Sequence, residues 1–162
     1  MTSVAEAYAK LKAPKPTPPA DLCKCAKPSA IKLVAGPGFN PIRCVGCDRE
    51  VSPESLKLTA EQAEAVAQWN APAEGIYRLW IASGEYEVWA GRQLSDLHSP
   101  INVDGRRLAE ELTPTRRCYF WLPSDEAYDA CPACGGELAK AAGSTPQAFC
   151  DDCSVIGPAA ES

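Results

Sequence analysis

Large apolar side chains are scarce in this sequence. Leu, Ile, Val and Phe together number 29 of 162 residues, under the roughly one-fifth share at which composition begins to suggest disorder. The hydrophobic fraction of 46% is carried by 26 alanines, and Ala buries little area. A large, purely hydrophobic core is therefore excluded, and the length excludes a long scaffold such as a TIM barrel. No run approaches 18 apolar residues, so no membrane-spanning helix is expected and no membrane partner. The first residues, MTSVAEAYAKLKAPKPTPPA, lack the apolar stretch of a signal peptide, which predicts a cytoplasmic protein. Histidine occurs once, at His98. No phosphate-cradling glycine loop, paired-carboxylate motif or nucleophile elbow is present. These absences point away from an enzyme.

Cysteine, by contrast, is abundant, at nine residues. In a reducing compartment disulfide frameworks are rare, and the spacing offers another explanation. Cys131, Cys134, Cys150 and Cys153 form a C-x2-C pair, fifteen intervening residues and a second C-x2-C pair. A C-x2-C turn brings two sulfurs to one face of a tight loop, and two such turns supply the four tetrahedral ligands of a zinc ribbon. Pro132 stiffens the first turn, and Gly135 suits the left-handed backbone expected after it. A redox role needs only one pair beside a thioredoxin-like βαβ pattern, and that pattern is absent. Cys23, Cys25, Cys44 and Cys47 form a second set, less usual because Cys23-x-Cys25 is tighter. It reads either as a second zinc site or as Cys44 and Cys47 with another ligand and one spare cysteine. Two structural zinc ions are expected, since four thiolates leave no open position for substrate. Zinc binding then supplies the folding energy that the thin core does not.

The ninth cysteine, Cys118, lies in an aromatic run and reads as a packed thiol. A Cys118–His98 catalytic pair is the competing reading, without a third orienting group to support it.

The net charge of −5 and pI near 4.9 argue against diffuse nucleic-acid binding. The charge is uneven. Residues 1–50 carry a net of +4, residues 51–117 a net of −3 and residues 118–162 a net of −6. Lys24, Lys27, Lys32, Arg43 and Arg49 surround the first cysteine set and are candidate nucleic-acid contacts. The acidic C-terminal third instead suits a basic protein partner. Trp80, Tyr86 and Trp89 read as a stacking platform for bases or, more simply, as packing. Arg106-Arg107 and Arg116-Arg117 read as phosphate clamps or as solvated charges.

Residues 1–20 are expected to be a disordered Pro-rich tail, although residues 3–12 have the makings of a short helix. Residues 21–52 form an N-terminal zinc module, with an extended stretch at Ile31–Val34 and a turn at residues 36–38. An α+β core over 53–122 follows. Ser52-Pro53 and Thr59-Ala-Glu-Gln62 are helix starts, and Asn70-Ala-Pro72 ends the second. Ile76–Ala82 and Glu85–Ala90, either side of Ser83-Gly84, predict a hairpin. Ser99-Pro100 starts a helix to Leu112 with Ile101, Gly105, Leu108, Ala109 and Leu112 on one face. Residues 116–122 form a strand with Cys118, Phe120 and Leu122 on one side and Tyr119 and Trp121 on the other. The expected fold is thus α+β, a small three-stranded sheet with two helices, flanked by the zinc modules. The C-terminal ribbon spans 123–154, and 155–162 is a tail.

From Pro41 onward the ordered motifs PIRCVGC, the Trp-containing helix, QLSDLHSPINVDGRRLAEEL, CYFWL and CPACGGEL…FCDDC resemble a bacterial family of zinc-ribbon-containing proteins to which nucleic-acid binding is ascribed. The resemblance implies zinc, a cytoplasmic bacterial protein and nucleic-acid binding. The Cys23-x-Cys25 spacing departs from it. Two functional expectations follow: a non-enzymatic zinc-ribbon protein touching nucleic acid through its basic N-terminal module, or an acidic adaptor, inhibitor or immunity-type protein that binds a protein instead.

Overall fold

The computed structural model describes residues 3–12, 14–26, 28–37 and 40–161. Near the N-terminus, α1 (Val4–Ala9) is closed by a reciprocal cap between Ser3 and Glu6 and is exposed on every side. A 3-10 turn at Pro19–Asp21 precedes the first cysteines.

Six short strands build one mixed sheet: β1 (Ile31–Leu33), β2 (Ile42–Cys44), β3 (Cys118–Trp121), β4 (Ala139–Ala141), β5 (Gln147–Cys150) and β6 (Val155–Pro158), in the order β2-β1-β3-β6-β5-β4. The centre is parallel: β1 pairs with β3 at Ile31↔Cys118 and Leu33↔Phe120, and β3 with β6 at Phe120↔Val155. The outer pairings are antiparallel. Between β2 and β3 run α2 (Pro53–Leu56), α3 (Ala60–Ala82), α4 (Glu87–Ser95) and α5 (Pro100–Leu112).

The expectation of a three-stranded sheet with two helices is therefore corrected. The predicted hairpin at 76–90 is the end of α3 and the start of α4. Val66, Trp69, Ala73 and Ile76 recur at helical spacing through Pro72, and all four are buried or packed against the core. That stripe carries α3 past a proline whose ring lies on the exposed side. Gly84, read as a hairpin turn, has φ of +66° and follows the C-cap Ser83; the same left-handed residue that turns a hairpin also stops a helix. Both cysteine segments donate strands to the sheet. Val155–Pro158, expected as tail, is β6.

Asn70-Ala-Pro72 does not end the helix, Ser52 opens α2 without a side-chain cap and the strand expected at 116–122 spans Cys118–Trp121, but the other local expectations for the core are met. Thr59 and Gln62 form the capping box that opens α3. The Ser99 hydroxyl accepts from Asn102 N–H at the start of α5, and Ile101, Gly105, Leu108, Ala109 and Leu112 are all buried. They pack on Cys118, Phe120 and Leu122, while Tyr119 and Trp121 lie on the other face with Val45 and Ile156. Gly105 is required there: a Cβ would come within 2.3 Å of the Phe120 ring. Trp69 meets Phe120 edge-on at 5.9 Å and donates from Nε1 to the Ile101 carbonyl at 2.9 Å. One small aromatic cluster thus serves where large aliphatics are few.

Candidate metal centres

The first set is held by the edge of the sheet. Cys44 ends β2, and its chain turns through Val45 and Gly46 to Cys47. The Asp48 N–H closes that turn on the Cys44 carbonyl at 2.9 Å, and Asp48 itself is left-handed, with φ of 60°. Cys23 N–H donates to the Glu50 carbonyl at 2.7 Å, which brings the Cys23–Cys25 segment alongside.

The second set is closed more locally. Gly135, with φ of 74°, lets its N–H reach the Cys131 carbonyl at 2.8 Å. The Ala133 and Gly136 N–H groups point at Cys131 Sγ and Cys134 Sγ, both at 3.4 Å. The Cys150–Cys153 turn follows β5 and ends on Ser154, φ 53°. Asp48, Gly135 and Ser154 occupy one position, the residue after each C-x2-C. Only the glycine is legible in the sequence as a left-handed position, yet that positional equivalence marks the other two.

In each set the four Sγ atoms lie within 4.8 Å of one another. Cys25 and Cys44 are 4.0 Å apart and Cys134 and Cys150 3.8 Å. A disulfide needs about 2.05 Å, whereas a tetrahedron with Zn–S near 2.3 Å has edges of about 3.8 Å. The donors therefore fit a tetrahedral thiophilic cation. The two sets, Cys23/Cys25/Cys44/Cys47 and Cys131/Cys134/Cys150/Cys153, match two structural zinc ions. Cys25 joins its set, which leaves no cysteine spare there.

Gathering thiols has an electrostatic cost that a cation removes. Burial, reinforced by the neighbouring thiols, pushes Cys23 and Cys153 up to about 12. The Gly136 N–H and then the neighbouring thiols hold Cys134 below the usual thiol range. At Cys47 burial acts upward, but the Arg49 N–H and the neighbouring thiols outweigh it. A bound divalent cation stabilises all four as thiolates.

The predicted nucleic-acid contacts separate. Lys24 and Arg49 are exposed beside the first set, and Lys27 lies outside the described residues. Arg43 is half-buried and donates to the Asp48 and Pro37 carbonyls at 3.3 and 2.6 Å. Lys32 is not a surface cation: it is 2% exposed, and its Nζ lies 2.7 Å from Asp48, 2.5 Å from Gln147 Oε1 and 4.5 Å from the Trp121 ring centre. Alternation explains this, since Ile31 and Leu33 face the helices and Lys32 must face the opposite side.

Arg116 and Arg117 tie the cysteine segments to β3. Arg116 donates to the Pro28 carbonyl at 3.1 Å, and Arg117 to the Asp151 carbonyl at 2.7 Å. Arg107 is exposed and Arg106 half-buried on α5. Trp80, Tyr86 and Trp89 are exposed around the α3–α4 turn, on helical rather than strand backbone. Cys118 is fully buried, its thiol pushed up to about 12 by burial and directed at the Tyr119 carbonyl. His98 is exposed in the loop before α5.

No protein-family model, no curated protein and no solved structure matches the chain. The zinc-ribbon part of the resemblance therefore stands on the geometry of the two cysteine sets. Among the described residues no helix is long and apolar enough to cross a membrane.

Proposed function

We propose that this is a non-enzymatic adaptor: two structural zinc ions hold a rigid platform, and the platform binds a basic protein. One observation carries the reading. Trp80, Ile81, Tyr86, Val88 and Trp89 are each 40–67% exposed on either side of the α3–α4 turn, and Trp80 and Val88 line one groove there. Clustered exposed aromatics of this kind mark protein contacts. An open groove of about 440 Å³ runs beside them, lined by Trp80, Val88, Arg92 and Pro123 and by the carboxylates Glu87 and Asp125. Glu85 and Glu126 are also exposed near it. An apolar patch rimmed mainly by acids suits an apolar patch rimmed by Lys and Arg. The two complete sets of four cysteine donors and the buried Cys118 support a non-catalytic role, and nine unpaired cysteines suit a reducing cytoplasm.

The second reading is nucleic-acid binding through the first module, favoured by Lys24 and Arg49, exposed beside its cysteines. The reversal pair Lys24→Glu/Arg49→Glu and the patch pair Val88→Glu/Trp89→Glu separate the two. Affinity capture with and without nuclease identifies the partner, and titration of the purified partner then measures binding. The adaptor reading expects nuclease-resistant, one-to-one binding of a basic protein, abolished by the patch pair only. Nuclease-sensitive, salt-steep binding abolished by the reversal pair only would overturn it in favour of the second reading.

A further inference from the structure

The tip of the β4–β5 hairpin sits on the turn that holds the first metal. Ser144 N–H donates to the Gly46 carbonyl at 2.9 Å, and Gln147 Nε2 to the Val45 carbonyl at 3.1 Å. Both acceptors lie between the ligands Cys44 and Cys47. Gly143 is packed so closely that a Cβ would come 2.8 Å from the Gly46 oxygen and 2.9 Å from the Val45 oxygen. Gln147 is 2% exposed, and its Oε1 accepts from Lys32, whose other partner is Asp48, the residue after Cys47. Val45 N–H is held from the opposite side by the Ala30 carbonyl at 3.1 Å. Every polar backbone group of Val45 and the Gly46 carbonyl are thus satisfied by other parts of the chain.

The same strand that begins at Gln147 ends at Cys150, a ligand of the second set. Its register on β6 places Gln147 opposite Pro158 and Cys150 opposite Val155. A shift of the hairpin tip is therefore a shift of β5, and β5 carries a second-set thiol. We infer that the two metal sites are one coupled system, with Gly143, Ser144 and Gln147 as positioning residues that transmit occupancy of either site to the other. The inference rests on the two-site reading above.

Coupling is reciprocal by thermodynamic necessity. Ordering the Cys44–Cys47 turn presents two carbonyls at the spacing the hairpin tip requires. Docking of the tip fixes β5 and with it Cys150. Conversely, a set Cys150 favours the docked tip, which braces the Cys44–Cys47 turn. A buried side-chain amide in contact with a backbone carbonyl is a strict geometric requirement, because leaving either group unpaired in the interior is costly.

The test uses the full chain loaded with ¹¹³Cd²⁺, whose two resonances report the sites separately, and competition with a chelator to obtain both affinities. Cys44→Ser/Cys47→Ser is expected to weaken the second site about tenfold, and Cys150→Ser/Cys153→Ser to weaken the first by the same factor, within the usual 5–150-fold range of coupling. Equality of the two factors is a readout that general loss of structure does not produce. Because ligand variants risk unfolding, Gly143→Ala and Gln147→Leu, which keep all eight thiols, serve as the second arm. Each is expected to weaken both sites while both resonances persist. Two bound metals with unchanged affinity at the undisturbed site, or weakening confined to one site in the Gly143 and Gln147 variants, would overturn the coupling and leave the sites standing. Fewer than two metals on the wild-type chain would overturn the site reading and the coupling with it.

Discussion

The two cysteine sets have the same ligands and different supports. The Cys131–Cys134 half of the second closes on itself: Gly135 N–H bonds the Cys131 carbonyl, and Cys131 N–H bonds the Gly136 carbonyl at 2.9 Å, while Arg117, just before β3, and Phe120, within it, hold only its Cys150–Cys153 half. The first borrows from elsewhere. Cys23 leans on Glu50, Val45 on Ala30 and Gly46 on Ser144. In the sheet the two modules are placed alike: each supplies an edge strand, β2 or β4, and a strand beside β3, β1 or β6. A set built on two C-x2-C turns can therefore close one of them locally, while a set with a C-x-C half is completed by the tertiary structure around it.

The largest expected effect breaks this contrast most directly. Cys44→Ser/Cys47→Ser removes a structural site worth on the order of 10 kcal/mol. It should cost more global stability than Cys131→Ser/Cys134→Ser, because the Cys44–Cys47 turn anchors Ala30 and Ser144 from elsewhere in the chain, whereas the Cys131–Gly136 turn closes locally. Urea unfolding with saturating Zn²⁺, alongside metal analysis giving two zinc on the wild type and one on each variant, makes the comparison; equal costs would abolish the distinction.

A smaller effect is expected at Lys32. Asp48 is more than a third exposed, so the ion pair itself contributes little after solvent screening. What Lys32→Met strands is the buried Gln147 carbonyl, at about 1–3 kcal/mol. A lowered urea midpoint with a weakened first site is the expected result. Burial holds the Lys32 ammonium below its usual range, against the opposing pull of Asp48. Because the folded value is the depressed one, this lysine's contribution to stability improves as pH rises through it towards the ordinary lysine value.

The smallest effect sharpens the contrast between equivalent residues. Ser154→Gly relieves a left-handed backbone and should stabilise by about 1 kcal/mol. Asp48→Gly relieves the same conformation but leaves the buried Lys32 ammonium without its counter-charge, a cost that offsets the gain, so its melting temperature should stay close to the wild type. A matched gain in both would show that the Asp48–Lys32 contact is idle.

Legibility in the sequence followed the range of the interactions. The ligand sets were readable because metal geometry constrains spacing within short loops. The α5 face and the two sides of β3 were readable because 3.6 and 2 residue periods are local. The hairpin reading of 76–90 failed because aromatic and β-branched residues also serve a packed helix, and Gly84 suits either stop. The sheet was hidden because its strands have three or four residues and its central partners are Ile31 and Cys118, far apart in the chain. The burial of Lys32 was hidden for the same reason: the residues that cover it, Trp121 and Gln147, arrive from the other modules.

The parallel centre of the sheet also sets an order of assembly. All four ligands of the first site lie between residues 23 and 47, so that site is complete in donors before β3 is made. The partner of β1 on its other side from β2 is residue 118 and beyond, and closing so long a loop is slow. For that interval the nascent first module carries a full ligand set beside an unpaired strand edge, the feature by which sheets join wrong neighbours. The short length of β1 and the charged Lys32 at its middle, already beside Asp48 but still without Gln147, disfavour mispairing of that edge before β3 is made.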